Sequence, residues 1–250
     1  MIDTRIPANY TNTNQFLLRI DGSYNMTIDW GDGILPQNYT GSTDIIKTYS
    51  APGEYTVKIS GTLPALAYWK DGDAGNNTSF WREGDKILRI TQWGSIAWSS
   101  FYGAFSRCRN LNVTATDTPN LTNVTNMSDM FRSCTNLTGN TYFNYWNVSN
   151  VRTMGATFIN CSNFNQPLNN WNVSGVTYMG YMFYYCTKFN QPLNNWNVCN
   201  VTNMDYMFDN CRSFNQNLST WKVPNISATP TSFNFFTGIS ALPQWGASCP

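Results

Sequence analysis

The decapeptide FNQPLNNWNV occurs at residues 164–173 and again, letter for letter, at 189–198. A near copy, FNQNLSTWKV, follows at 214–223, so the same unit returns every 25 residues. Aligning the chain on this period shows that cysteine, phenylalanine and tryptophan also recur at fixed positions, with a phenylalanine three residues before five of the seven cysteines. These recurring residues are Phe105, Cys108, Phe131, Cys134, Phe158, Cys161, Phe183, Cys186, Phe208, Cys211, Trp146, Trp171, Trp196 and Trp221.

A repeat of this length, with apolar residues at fixed positions, cannot bury its own apolar side, whereas stacked copies bury a continuous core. The sequence therefore predicts a short solenoid over residues 87–250, with about five to six coils and the recurring residues facing inward. The Phe-x-x-Cys spacing predicts a short helical turn in each coil. The Asn-rich run predicts side-chain amides that bridge neighbouring coils. Pro119 and Phe236, which replace a tryptophan and a cysteine, predict capping coils at the two ends.

The first 65 residues have a different pattern, with a period of two instead of 25. FLLRI (16–20), YNMTIDW (24–30) and YSAPGEYTVKISG (49–61) alternate apolar and polar residues around turn signals, which predicts strands and hairpins of a small β-sandwich. Residues 66–86 contain Gly, Asn and charged residues and predict a linker or exposed loop. The expected fold is mainly β with short helical turns, divided into a sandwich (1–65), this linker (66–86) and the solenoid (87–250).

Two resemblances extend this interpretation. The repeat, NWNVSNVTNMxxMFxxCxxFNQPLN, resembles that of BspA-type leucine-rich-repeat surface proteins, which also occurs in mycoplasma surface lipoproteins and in bacteriophage sequences. WGDG at Trp30–Gly33 and Y-x-x-P-G-x-Y-x-V at Tyr49–Val57 resemble the polycystic-kidney-disease (PKD) module. The first resemblance implies adhesion to proteins, cells or other surfaces without catalysis. The second implies that the N-terminal part is a spacer or docking element.

Composition restricts the function further. Histidine is absent, which excludes catalysis by Ser-His-Asp or Cys-His and metal sites with histidine ligands. The net charge is +1 with 12% charged residues, so no broad field attracts nucleic acid or an anionic membrane. No run approaches 18 apolar residues, so membrane insertion is not expected. No pair of carboxylates recurs in the repeat, and we do not expect an enzyme.

The positions that vary between repeats are candidates for ligand binding. Tyr178, Tyr181, Tyr184 and Tyr185 occupy such positions in one repeat, and Tyr206 follows in the next. Positions that vary while the apolar positions stay fixed are expected to face solvent. Exposed tyrosines provide contact area and a hydroxyl for a protein or glycan surface. The alternative is that these rings only cover the edge of a coil.

Carboxylates at two places raise the question of calcium. Asp29 and Asp32 in the WGDG turn are candidate calcium ligands, although carboxylates that cap a tight turn through backbone amides are the alternative. Asp71, Asp73, Glu83 and Asp85 form a second acidic group, which predicts a solvated loop. Apart from calcium, no cofactor is expected.

These observations predict a non-enzymatic, surface-exposed binding or structural protein. Because the N-terminal residues lack the basic and apolar regions of a secretory signal, we expect a phage virion component: a capsid decoration, fibre or tail adhesion protein. Its expected location is the virion surface, and its partners would be a host protein or glycan surface and other virion proteins. The alternative is a secreted or lipid-anchored bacterial adhesin at the cell surface.

Overall fold

The structure is a computed structural model that describes residues 1–8, 11–70, 82–230, 232–234 and 238–249. It is mainly β, and the helices in these ranges are short 3-10 helices at Tyr68–Lys70, Glu83–Lys86 and Thr141–Tyr145. The strands are β1 (Ile2–Asp3), β2 (Gln15–Leu18), β3 (Tyr24–Asp29), β4 (Gln37–Gly41), β5 (Ile45–Thr48), β6 (Glu54–Tyr55), β7 (Lys58–Thr62), β8 (Arg89–Ile90), β9 (Asn112–Val113), β10 (Lys222–Val223) and β11 (Gln244–Trp245).

The N-terminal strands form small antiparallel sheets. β3 is central to a three-stranded sheet with β4 and β7, while β2 pairs with β5 and β1 pairs with β6. Alternate residues of β3 are buried, as the period of two predicts: Tyr24 and Met26 lie in the core and Asn25 is exposed. In contrast, β8 and β9, and β10 and β11, form parallel pairs within the repeats.

The described ends of the segment predicted as a linker are buried. Ala67 and Tyr68 lie in the core, and a buried polar cluster at Glu83–Lys86 joins the N-terminal part. Lys86 Nζ donates to Thr11 Oγ1 at 2.5 Å and to the carbonyls of Asn12 and Gln15 at 3.0 and 2.8 Å.

Glu83 completes this cluster by accepting hydrogen bonds from the backbone and hydroxyl of Thr11 at 2.8 and 2.7 Å. The expectation of solvated carboxylates is therefore wrong for Glu83 and Asp85, because hydrogen bonds replace the water that each group loses. Asp71 and Asp73 lie outside the described residues.

Successive repeats lie side by side and are joined by backbone hydrogen bonds. Before each cysteine, alternate N–H groups donate to carbonyls of the following repeat: Phe131 to Thr157, Phe158 to Met182 and Phe183 to Met207, at 2.9–3.0 Å. The N–H groups between them close turns within the repeat, as from Cys161 to Phe158 at 2.9 Å. The backbone polar groups of this segment are thus satisfied either by the next repeat or by the same turn.

This segment consists of consecutive turns, not the helical turn that the spacing predicts. Two positions in each repeat have a left-handed backbone, with φ of 54° and 60° at Ala156 and Asn160 and of 59° at both Tyr181 and Tyr185. An α-helix needs φ near −63° at every residue. The left-handed residues interrupt the helix and turn alternate N–H groups toward the neighbouring repeat.

The recurring apolar residues form ordered stacks in the core. Ring centroids of Phe105, Phe131, Phe158, Phe183 and Phe208 are 5.5–5.8 Å apart from one repeat to the next. The tryptophan centroids, from Trp146 through Trp171 and Trp196 to Trp221, are 6.0–6.4 Å apart. The indole N–H groups of the last three donate to backbone carbonyls of the preceding repeat at 2.6–2.9 Å, so burying these large rings leaves no donor unpaired.

The cysteines of the repeat are free and buried, namely Cys108, Cys134, Cys161, Cys186 and Cys211. The last four donate from Sγ to the phenylalanine carbonyl of the preceding repeat at 2.6–3.0 Å. Burial raises the pKa of each of the five thiols. Each therefore acts as a small packing residue with a weak donor, and no thiolate forms at neutral pH.

Side-chain amides bridge the repeats, which confirms the prediction for the Asn-rich run. Asn165 Oδ1 accepts from the backbone of Asn190 at 2.9 Å, and Asn190 Oδ1 accepts from that of Asn215 at 3.1 Å. Asn169 Oδ1 likewise accepts from Asn195 at 3.0 Å. The same residue type recurs at these positions because each amide has to reach an N–H group of the next copy.

The ends of the stack depart from the regular pattern. Near the first repeat, Trp93 lies edge-on to Trp146 with centroids 5.3 Å apart. At the other end, Phe233 is buried and edge-on to Phe208, and a disulfide joins Cys199 to Cys249. Phe236 lies outside the described residues. One apolar core runs from Ile2 in the N-terminal part to Phe233 in the last repeat.

Candidate binding face

The structure brings the five predicted tyrosines together at one surface, which we call the tyrosine face (Tyr178, Tyr181, Tyr184, Tyr185 and Tyr206). Tyr178 and Tyr185 are 38% and 40% exposed, and the other three are half-buried. Tyr181 stacks on Tyr206 across the repeat boundary, with centroids 4.7 Å apart, and Tyr184 lies edge-on to Tyr185, also at 4.7 Å. The rings thus support one another and remain accessible.

Tyr178 rests on a floor made by two glycines. A Cβ at Gly155 would lie 2.3 Å from Tyr178 Cε1, and a Cβ at Gly180 would lie 2.9 Å from its hydroxyl. Ser128 and Asp205 occupy the equivalent positions in other repeats. The glycines therefore allow this ring to lie flat against the backbone, a position that a side chain there would obstruct.

Three tyrosines of the face have a left-handed backbone, with φ of 59° at Tyr181 and Tyr185 and 57° at Tyr206. This conformation costs roughly 1–2 kcal/mol for a residue with a Cβ, and Asn, Asp and Gly adopt it most readily. Four of the equivalent positions in other repeats have such residues, Gly103, Asp129, Asn160 and Asn210, while Arg107, Ser133 and Ala156 occupy the others. The left-handed backbone by itself disfavours tyrosine at these exposed or half-buried positions, which points to a role in contact.

A groove of about 330 Å³ borders the tyrosine face. It is lined by Tyr178 and Tyr181 on one side and by Asp129 and Arg132 on the other, and the two charged groups are paired at 3.0 Å. Partial burial raises the pKa of the Tyr181 and Tyr184 hydroxyls, so both remain protonated donors at neutral pH. The face combines aromatic area, hydroxyl groups and an ion pair, which suits recognition of a polar surface.

Asp29 ends β3 and Asp32 lies in the turn that follows, both far along the chain from the tyrosine face. Asp29 accepts from the Gly31 N–H at 2.9 Å and Asp32 from the Ile34 N–H at 3.2 Å. Lys58 and Lys47 approach these carboxylates at 3.3 and 2.6 Å.

The backbone N–H of Gly31 lowers the pKa of Asp29, and Lys47 lowers that of Asp32. Among the residues that the structure describes, no group of three or more His, Cys, Asp or Glu side chains gathers in a metal-binding arrangement. The contacts of both aspartates are those of turn-capping residues, and calcium binding stays a prediction.

Two features were not found from the sequence. The first is the Cys199–Cys249 disulfide. Both cysteines lie outside the 25-residue period, and this departure was a signal in the sequence that could have indicated the pair. The second is the exposure of Tyr142 and Tyr145, which replace a proline and an asparagine of later repeats.

Across the described ranges, no helix is both long and apolar enough to cross a membrane.

Comparison with known families agrees with the repeat pattern. Two overlapping stretches, residues 99–221 and 139–242, match the family described as "Mycoplasma protein of unknown function, DUF285". Together they span more than half of the chain, and the chain belongs to this family. BspA-like surface proteins often carry this domain. Neither a curated protein nor a solved structure matches the chain significantly.

Proposed function

We propose that this chain is a non-enzymatic binding protein exposed at a surface, and that the tyrosine face is its contact site. The observation that carries the proposal is the left-handed backbone of Tyr181, Tyr185 and Tyr206 at exposed or half-buried positions. Ring contacts such as Tyr184–Tyr185 about offset the backbone cost, so stability gives tyrosine no advantage over the Asn160 and Asn210 of other repeats, yet three of these tyrosines gather in one place. A binding role accounts for this concentration, because aromatic rings are frequent anchors of interfaces.

The stacked repeats support the proposal by providing a rigid base. We propose that they form a short leucine-rich-repeat-like solenoid, since backbone, amide and ring contacts all recur between neighbouring repeats. The N-terminal sheets would be a PKD-like sandwich that acts as a spacer or a dock. The buried Trp30 and the turn-capping aspartates around the WGDG sequence agree with that module.

The disulfide bears on where the protein works. Disulfides persist in oxidising compartments, and they are rare in the cytosol, where thiols are kept reduced. Cys199–Cys249 fits a virion surface and a cell surface equally well, because both face an oxidising medium. Membership of a family that occurs in surface proteins favours a bacterial cell-surface adhesin over a virion protein. Antibody labelling of intact producing cells and of purified virions separates the two settings. Labelling of virions alone would support the virion prediction instead.

The binding role is tested by attachment of the purified protein to cultured epithelial cells and to immobilised extracellular-matrix proteins. The test variant combines Tyr178→Asn, Tyr181→Asn, Tyr184→Asn and Tyr185→Asn. Pro192→Asn is the matched control, because it changes an exposed residue of the same repeat to the Asn217 found in the next.

We expect the tyrosine variant to lose at least about thirtyfold in affinity, as loss of a central anchor of ~2 kcal/mol implies, while the control binds normally. A folded tyrosine variant that attaches as well as the unmodified protein would show that the contact site lies elsewhere.

A further inference from the structure

A second surface groove lies on another segment of the repeats, and we propose that it binds a neutral saccharide. Its volume is about 720 Å³, within the range of small-molecule sites, and it is open to solvent along one side. Its walls include Gln92, Ser95, Thr116, Thr118, Tyr142 and Tyr145. None of these residues belongs to the tyrosine face, so this proposal does not depend on the proposed function.

The groove arises from an irregularity in the repeat. Cys134 and Cys161 are 27 residues apart, against 25 in the repeats that follow, and the 3-10 helix Thr141–Tyr145 occupies the longer connection. Phe143 takes the inward position, where its carbonyl accepts from the Trp171 indole at 2.6 Å. The residues on either side of it, Tyr142 and Tyr145, therefore face outward.

These two tyrosines are exposed aromatic rings set at an angle. Tyr142 is 40% and Tyr145 64% exposed, and their rings are 6.1 Å apart with an interplanar angle of 64°. In the following repeats the equivalent residues are Pro167 and Asn170. A pyranose ring has an apolar face of C–H groups that packs on an aromatic ring, while its hydroxyls remain free for hydrogen bonds. An angled pair of rings suits one sugar unit on each.

The polar groups of the groove are available for such hydrogen bonds. The side chains of Gln92, Ser95, Thr116 and Thr118 are exposed, and none of them makes a hydrogen bond with any described part of the chain. In contrast, the surface amides of the Asn-rich run bond to the next repeat, as Asn165 does to Asn190. The groove thus contains donors and acceptors that folding has left unused.

Asp117 supplies a fixed acceptor in the same groove. Its carboxylate accepts from the backbone N–H groups of Trp93 at 3.0 and 3.1 Å and of Gly94 at 2.8 Å. These bonds hold the carboxylate in place, and a carboxylate has about four acceptor sites, so it is able to accept from a ligand hydroxyl as well. Binding does not have to order this side chain, which lowers the entropic cost.

The charge of the groove indicates that its ligand is neutral. No Lys or Arg lines it, and Asp117 is its only charged lining residue in the described ranges. A phosphate, sulfate or sialic acid would face a carboxylate without a compensating cation. The groove is open to solvent and has hydroxyl and amide groups among its lining residues, so it gives little enclosure to a hydrophobic ligand.

The test uses the whole protein on an array of neutral glycans, followed by calorimetric titration with the neutral oligosaccharide that gives the strongest signal. A sialylated form of that oligosaccharide is the charge control. The paired variant Tyr142→Asn with Tyr145→Asn removes both rings, and Thr116→Val removes one hydroxyl without changing its shape. Pro192→Asn, which changes an exposed residue outside this groove and outside the tyrosine face, is the matched control, and thermal melting verifies that each variant is folded.

We expect a neutral glycan to bind, a loss of at least tenfold in affinity in the paired variant, a smaller loss for Thr116→Val and no change for Pro192→Asn. The sialylated form should bind more weakly than its neutral counterpart. The proposal is overturned if no neutral glycan on the array binds, if the folded paired variant binds normally, or if the sialylated form binds as well. Loss of cell attachment in the tyrosine-face variant has no bearing on these results, so the two proposals fail separately.

Discussion

Replacing Tyr185 by asparagine tests whether the tyrosine face is a contact site or part of the packing. Asn160 and Asn210 occupy the same position in the neighbouring repeats, with φ of 60° and 59° against 59° at Tyr185. Asparagine should recover part of the roughly 1–2 kcal/mol that a left-handed backbone costs tyrosine. The lost edge-on contact with Tyr184 is worth about 0.5–1.5 kcal/mol. These effects nearly cancel, so the free energy of unfolding should change by less than about 0.5 kcal/mol.

The reciprocal change, Asn160→Tyr, is the control. It places a tyrosine in a left-handed position without the edge-on ring that Tyr184 gives Tyr185, since Ile159 precedes it, and should lower the free energy of unfolding by roughly 1–2 kcal/mol. Urea unfolding monitored by tryptophan fluorescence measures both variants. The reasoning is refuted if Tyr185→Asn costs about 2 kcal/mol or more while Asn160→Tyr is neutral, since Tyr185 would then be a packing residue.

Three further predictions concern the core. Phe183→Ala should cost roughly 3–5 kcal/mol in urea unfolding, because a fully buried ring leaves a cavity; a cost below about 1 kcal/mol would contradict the stacking of the repeats. Burial raises the pKa of the five thiols in the folded protein. Their contribution to the free energy of unfolding is therefore complete below pH ~8.5, the ordinary thiol pKa, and falls above that pH because only the unfolded thiols ionise there. Each thiol lowers the free energy of unfolding by about 1.4 kcal/mol per pH unit in this range. Cys186→Ala should therefore make the decrease of stability with rising pH less steep, and an unchanged slope of stability against pH would contradict the burial of this thiol. Lys86→Met should cost about 3–5 kcal/mol because it removes a cation from a buried polar cluster. Lys58→Met, at the exposed pair with Asp29, should cost under ~1 kcal/mol. Thermal melting compares the two variants, and equal costs would refute the stabilising role of the cluster.

The inward ladders could be predicted from the sequence because burial imposes the same residue on every copy. Phe158, Phe183 and Phe208 occupy one position for one physical reason, and the period shows it without a structure. The bridging amides were predictable on the same ground. The turns before each cysteine were not, because a spacing of three residues fits both a helical turn and consecutive turns. Bonds to the next repeat decide between them, and the spacing does not encode those bonds.

The burial of the described ends of segment 66–86 could not be predicted for a different reason. Charged and polar letters are usually exposed, and no local pattern reveals that Glu83 and Lys86 meet Thr11, more than 70 residues earlier. The groove at Tyr142 and Tyr145 could not be predicted because the 25-residue period is interrupted there. The tyrosine face was visible as variation within a regular pattern, although its left-handed backbone was not.

Site-directed photocrosslinking tests the proposed contact site most directly. A benzoylphenylalanine replaces Tyr185 in one sample and Asn195 in another; both residues are exposed and lie in the same repeat, but only the first belongs to the tyrosine face. Each protein is bound to cultured epithelial cells, irradiated and examined for adducts of higher mass. We predict an adduct from position 185 and none from position 195. An adduct from position 195 alone, or equal yields from both positions, would contradict the proposal that the tyrosine face binds the partner.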